Sequence, residues 1–435
     1  MRPPRGLALF AVLLAAYAAT LALPGRGADD RSAREARYLM VAASLHRDGD
    51  LGVADEYEDG TDRELHPGGL ARPAEPHLGR LLEPVGLALP LLAAPLFGLG
   101  GVTAVALLCA AAMALAFTLG AALARRIVPE PWATRAALAV GLSPPALGAA
   151  AAVGPEPLGA ALLTGAALLA LRVRDAAPHP PLAPALLAAI LLALLPWLSA
   201  ELAAAGIVVL AALVRWMTRS GRRLQAIIAV EVVIFSAILY VSVNERLFGG
   251  VVPNVVLAGP VTGEEGVGAN LARVTRLVSL WTDPGYGLLA WAPVLGLAFL
   301  ALWVLWRARR ERLALAVPAL RDTEAAATLC ALICGAQLLV AAFFARHADG
   351  AWFPGLHLAA ALPAAAALCA WGLRRVPRAG AAAIALTAAV SGWLVVAVAT
   401  GATGLAPPEL PVWLGVAGVA ASVAVVAGGV ATGRR

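Results

Sequence analysis

The chain has 435 residues, 61% hydrophobic and 14% charged, with a mean hydropathy of +0.81 and a formal net charge of +6. Soluble domains carry about 45–50% apolar and about 25% charged residues, and disordered chains combine low hydrophobicity with high net charge, so both classes are excluded. The apolar residues fall in blocks of about 20, long enough to cross a bilayer as helices, and predict a polytopic membrane protein.

The first block, residues 6–24, follows Arg2 and Arg5. Its length suits a span, so it reads as a signal anchor. Further blocks lie near 101–124, 132–153, 156–173, 182–199, 201–217, 224–246, 286–306, 323–344, 356–373, 379–401 and 411–432. Together they predict an all-α membrane domain, 1–435, of about 12 transmembrane helices with both termini on one side. Two hydrophilic loops interrupt it, 25–84 and 245–284, and blocks 182–199 and 201–217 meet in a tight hairpin at Trp197–Glu201. The apolar stretch 84–98 is too short to span and holds Pro84, Pro90 and Pro95, which suits a re-entrant or interface-lying helix.

All 33 basic residues are Arg, and their placement orients the chain. With the N-terminus in the cytoplasm, the inner loops hold 21 Arg against 5 acids, and the outer side holds 12 Arg against 21 acids. A wrong number of spans would scramble this segregation, so the positive-inside rule predicts a multi-pass protein of the cytoplasmic membrane with both termini cytoplasmic. Both hydrophilic loops are then extracytoplasmic. Nucleic-acid binding is excluded by that topology rather than by charge.

Within the first loop, Ala33–Arg47 places Tyr38, Val41, Ala42 and Leu45 on one stripe, with Arg34, Arg37 and Arg47 off it. That pattern predicts an amphipathic helix along the membrane surface, with Asp29 and Asp30 as anions at its start. The acids Asp55, Glu56, Glu58 and Asp59 suit a solvated face, with divalent-metal binding as the alternative. His46, His66 and His77 share no metal-ligand spacing, and the four cysteines sit singly in apolar blocks, so the spacing assigns no metal site.

An enzyme of this layout works at the outer surface, where no nucleotides are found, so a transferase there takes a lipid-carried donor. It needs a carboxylate for the acceptor hydroxyl and cations for the leaving phosphate. In order along the chain stand Tyr38 three residues after Glu35, then "RDGDL" (47–51), "DEYED" (55–59), "LPLLAAPLFGLGG" (89–101), "SPPALGAAAAVGPEP" (143–157), "LLPWL" (194–198), "NERLFGG" (244–250), "DPGYGLLAWAPV" (283–294) and "GAWFPGLHLAAALP" (350–363). This series resembles bacterial GT-C-type membrane glycosyltransferases of the dolichyl-phosphate-mannose mannosyltransferase and RgtA–D-like group.

The resemblance implies a GT-C-like fold and inverting transfer of a sugar from a polyprenyl-phosphate carrier to a cell-envelope glycan or lipid acceptor. It implies Glu35 or Asp30 as the catalytic carboxylate and a possible divalent metal as cofactor. Substrate contacts are expected from Asp29, Tyr38 and Glu156, and from the outer-side Arg246, Arg346 and His347. The family's usual Asp-Glu pair appears as Arg34-Glu35, and its Arg-Tyr before the tenth span as Leu356-His357. A non-catalytic relative, a scaffold or lipid-handling subunit, is the alternative. A transporter would require ionisable residues near the midplane of several spans, and Glu231 alone qualifies.

Overall fold

The computed structural model describes residues 5–23, 28–73, 79–176, 182–253, 267–283, 287–310, 318–344, 354–404 and 411–432. It is helical throughout, with no strand among the described residues. The first helices are α1 (Arg5–Leu21), α2 (Ala33–Arg47), α3 (Ala54–Glu58), α4 (Thr61–Leu65), α5 (Ala88–Ala124), α6 (Trp132–Gly141), α7 (Pro144–Ala151), α8 (Glu156–Asp175), α9 (Leu182–Leu198) and α10 (Ala203–Arg219). They are followed by α11 (Arg223–Phe248), α12 (Val267–Thr282), α13 (Leu288–Trp291), α14 (Gly296–Arg310), α15 (Pro318–Phe343), α16 (Pro354–Leu358), α17 (Leu362–Arg375), α18 (Pro377–Ala399) and α19 (Val412–Thr432).

Among the described residues eight helical stretches are long and apolar enough to cross a membrane: α5, α8, 200–219 (ending in α10), α11, 323–343 of α15, 356–375 (α16 through α17), α18 and 412–431 of α19. Three shorter apolar helices, α1, α9 and α14, coincide with further predicted spans. The remaining block, 132–153, is broken into α6 and α7. Ser143 takes an extended conformation (ψ 153°) and Pro144 opens the next helix, where its missing N–H costs nothing. The break frees the Gly141 carbonyl, and the buried Tyr17 hydroxyl of α1 donates to it at 2.8 Å.

α5 lies at the centre, against α1, α2, α6, α7, α8 and α17. Its face of Val105, Cys109, Met113 and Phe117 is fully buried. At Gly120 a Cβ would stand 2.9 Å from Pro363, so the missing side chain lets α17 come close, as small residues do between membrane helices. Residues 88–98 of the stretch 84–98 form the first part of α5, which runs into the span through a break at Gly100 and Gly101. Gly101 has φ +58° with ψ −147°, a conformation essentially confined to glycine.

Within the predicted second loop, 245–284, α11 continues to Phe248 and α12 occupies 267–282. A correction concerns α2. Every residue from Glu35 to Ser44 is buried, Arg37 included, so the helix is enclosed and does not present a charged face to water. It starts with a Ser-x-x-Glu box: the Ser32 side chain accepts the Glu35 N–H at 3.2 Å and donates to Glu35 Oε1 at 3.4 Å. Asp29 and Asp30 precede this cap in a 3-10 turn, Ala28–Asp30.

The rest of the first loop is fastened to α2 by charge. Glu83, 2% exposed, accepts a 2.5 Å hydrogen bond from the Tyr57 hydroxyl and lies 3.5 Å from Arg37 Nη1. Burial raises the Glu83 carboxyl's pKa against the opposing pull of Tyr57 and Arg37. At the opposite end of the bundle, Arg126 pairs with Asp175, Arg125 with Glu130 at 2.6 Å, and Arg174 stacks over Trp216. These residues all come from loops the charge pattern assigns to one side, and residues from the other set meet around α2.

Removing one partner of a buried ion pair leaves an uncompensated charge and costs about 3–5 kcal/mol. Glu83→Ala is expected to destabilise the detergent-purified protein by that order, read as a lower thermal midpoint. Arg37→Met combined with Glu83→Leu should recover most of the loss, and a double variant no better than the single would remove the ion pair as the cause.

Candidate functional site

Five side chains from four separate segments meet at the first-loop end. Arg34 and Tyr38 come from the start of α2 and Glu156 from the first turn of α8. Glu201 comes from the 3-10 turn Ala200–Leu202, and His357 from α16. Each is placed by local chemistry. Glu156 sits where the helix dipole favours an anion. The Ser199 side chain caps the turn by accepting the Glu201 N–H at 3.4 Å. Gln337 of α15 holds the His357 carbonyl at 2.9 Å.

Two pairs make up the cluster. Arg34 Nη2 lies 2.5 Å from Glu156 Oε1, and His357 Nδ1 lies 3.0 Å from Glu201 Oε2. The Arg34 side chain is 29% exposed and that of Glu156 6%, so the guanidinium keeps access to an incoming anion while its carboxylate is enclosed. Burial works against the Arg34 charge, but Glu156, with Tyr38 and Glu201 behind it, outweighs that and raises its pKa further. Burial pushes the Tyr38 phenol up to about 12, although Arg34 and the Gly86 N–H draw it down. Tyr38 is therefore neutral, a contact rather than a base.

Glu35 serves a different purpose from its neighbours. It is 3% exposed, and its Oε2 accepts the Val153 N–H at 3.0 Å, which ties α2 to the stretch between α7 and α8. Asp29 is exposed, and the Asp30 side chain, Arg346 and His347 lie outside the described residues. Arg246 is exposed near the end of α11 and makes no ion pair among the described residues. Glu231 is exposed on α11, also without an ion pair among them. The sequence signal for Arg34–Glu156 was the arginine standing at a carboxylate position. Glu201 and His357, 156 residues apart, offered only a histidine at an arginine–tyrosine position.

One residue beyond His357, Leu358 lines an apolar cavity of about 130 Å³ with Trp281, Phe299, Leu302, Cys334 and Leu362. A hydrophobic recess thus adjoins the charged cluster.

No family model matches the chain, and no curated protein matches it in sequence. The apo crystal structure of ArnT from Cupriavidus metallidurans superposes with a TM-score of 0.51 at 15% identity, over 97% of this chain and 74% of ArnT. The oligosaccharyltransferase AglB from Archaeoglobus fulgidus, in complex with an inhibitory peptide and a dolichol-phosphate, gives a TM-score of 0.45 at 13% identity over 97% of this chain and 56% of AglB. The chain is an all-α, multi-pass membrane protein whose fold resembles that of GT-C membrane glycosyltransferases.

Truncating Glu156 leaves the partly exposed Arg34 guanidinium without its enclosed partner. Glu156→Ala is therefore expected to cost about 1–3 kcal/mol in thermal unfolding. A double-mutant cycle with Arg34→Ala should give a coupling well above the about 0.3–0.5 kcal/mol scatter of independent sites. Additive losses would mean that the two side chains do not act as a pair.

Proposed function

We propose that the chain is a glycosyltransferase of the cytoplasmic membrane, with both termini cytoplasmic. It moves a sugar from a polyprenyl-phosphate carrier to an extracytoplasmic glycan or lipid acceptor, with inversion. The observation that supports it best is a partly exposed guanidinium beside a carboxylate–imidazole pair, next to an apolar recess. The recess suits a polyprenyl chain, and Arg34, oriented by Glu156, suits the phosphate that the chain carries.

In the transfer, the acceptor oxygen bonds to the anomeric carbon as the bond from that carbon to the carrier's phosphate oxygen breaks. The hydroxyl proton goes to His357 Nε2, whose ring is oriented by Glu201 at Nδ1, and then to solvent or the departing phosphate. Arg34 offsets the second negative charge that develops on the phosphate. Glu35, bound to the Val153 N–H, holds the start of α2 in place and is not assigned the base role that the family resemblance gives to it or to Asp30.

General-base catalysis contributes about 10²–10⁴-fold. His357→Ala should lower kcat by that order in a membrane assay with carrier-linked sugar, with Glu201→Gln intermediate and Arg34→Ala weakening donor binding and turnover together. Full transfer by His357→Ala, with loss in a folded Asp30→Ala/Glu35→Ala variant, would move the base to the start of α2.

One observation favours the second reading, a non-catalytic GT-C-fold scaffold or lipid-handling subunit. Arg34 occupies the carboxylate position and is already neutralised by Glu156. On that reading the same membranes bind carrier phosphate but transfer nothing, and substitutions at His357 leave binding unchanged.

A further inference from the structure

Asp48, Asp55 and Glu56 converge at the far end of α2. One carboxylate oxygen from each lies within 4.8 Å of the others. The sequence suggests one acidic face over 55–59, but the fold divides it. Asp59 turns away to Arg47 and the Thr61 N–H, and Glu58 is not in the group, while Asp48 joins from the C-cap of α2.

Two physical facts make this more than a solvated acidic patch. Glu56 is only 1% exposed, and its Oε2 has no hydrogen-bond partner among the described residues. A buried carboxylate oxygen in that condition pays its full desolvation cost. In addition, Asp48 stands at the C-terminal end of a 15-residue helix, where the dipole disfavours a negative charge. None of the three pairs with an arginine among the described residues. Burial, then the hydrogen bond and charge of Asp55, then Asp48 push the Glu56 carboxyl up to about 8.

We propose that Asp48, Asp55 and Glu56 form a binding site for a hard divalent cation, calcium by preference. Oxygen ligands of one calcium ion stand about 2.3–2.6 Å from it, hence at most about 5 Å from each other, and the three carboxylates fall inside that limit. The exposed positions of Asp48 and Asp55 leave room for water to complete the six to eight ligands that calcium takes. The cation would join the end of α2 to α3. It would lie about 20 Å along the helix from Arg34, too far to touch the charged cluster, so it acts on the architecture of the first loop. The site is independent of the transfer reaction proposed above, and its failure leaves that proposal unchanged.

The test uses full-length protein in detergent, stripped with EDTA and followed by intrinsic-fluorescence melting. Calcium chloride should raise the melting temperature with half-saturation at about 0.1–1 mM, the range of extracellular calcium modules, above a sodium chloride control of equal ionic strength. Glu56→Gln should abolish that shift and, above about pH 8 where the carboxyl ionises, raise the cation-free melting temperature, because there it removes a crowded buried charge. Asp55→Asn, at an exposed position, should lose the calcium shift however well Glu56→Gln folds. Glu58→Gln, an equal change of charge outside the group, should keep it. No shift in the wild type, or an undiminished shift in both Glu56→Gln and Asp55→Asn, overturns the site. A response to magnesium chloride without one to calcium overturns the choice of ion.

Discussion

α2 is a charged helix in a buried place, and this constraint organises the first-loop end of the molecule. An unpaired buried charge is worth several kcal/mol of destabilisation, so each polar group on the helix must find a partner from elsewhere in the chain. Arg34 takes Glu156 from α8, Glu35 takes the Val153 N–H, and Arg37 takes Glu83. Ser44 donates to the carbonyls of Asp50 and Gly52. The partners come from three stretches of sequence, 50–52, residue 83 and 153–156, so satisfying one helix draws the first loop and the entry to α8 into a single structure. The specificity of this end therefore comes from directional contacts, while apolar burial supplies the bulk of the membrane helices' packing.

The division between what could and could not be read from the sequence follows from the same physics. Membrane spans announce themselves because hydrocarbon demands about 20 apolar residues without interruption, whatever their neighbours. The charge pattern then orders them, and the ion pairs Arg126–Asp175 and Arg125–Glu130 at one end agree with that order. What failed was local. The stripe Tyr38–Leu45 looked amphipathic because Arg34 and Arg37 looked solvated, yet their partners lie far along the chain and no period reports them. The break in 132–153 was written in Ser143-Pro144-Pro145, but an unbroken hydropathy outweighed it.

The charged cluster was half legible. Tyr38 and Glu156 stood out by position, and the structure brings both beside Arg34. Glu201 in its tight hairpin could be read, like Glu156, as a helix-terminus anion or a cavity residue, but its pairing with His357 depends on the approach of α16, which no local pattern reports. The acidic stretch 55–59 is the reverse case: its chemistry was visible, but which of its members converge depends on the C-cap of α2.

The departures from the family pattern make sense as a pair. In the resemblance, the start of the first-loop helix bears the carboxylate, and the segment before the tenth span bears the arginine. Here the start of α2 bears Arg34, and the segment before the tenth span bears His357 backed by Glu201. A guanidinium can hold a phosphate but cannot accept a proton, since its pKa lies far above any working pH. If only Arg34 had changed, the site would have lost its base and gained a cation beside one it already had. On the proposed glycosyltransferase reading, the two changes together exchange the sides of the anion-holding and proton-accepting roles and keep the complement of charges that such a transfer needs.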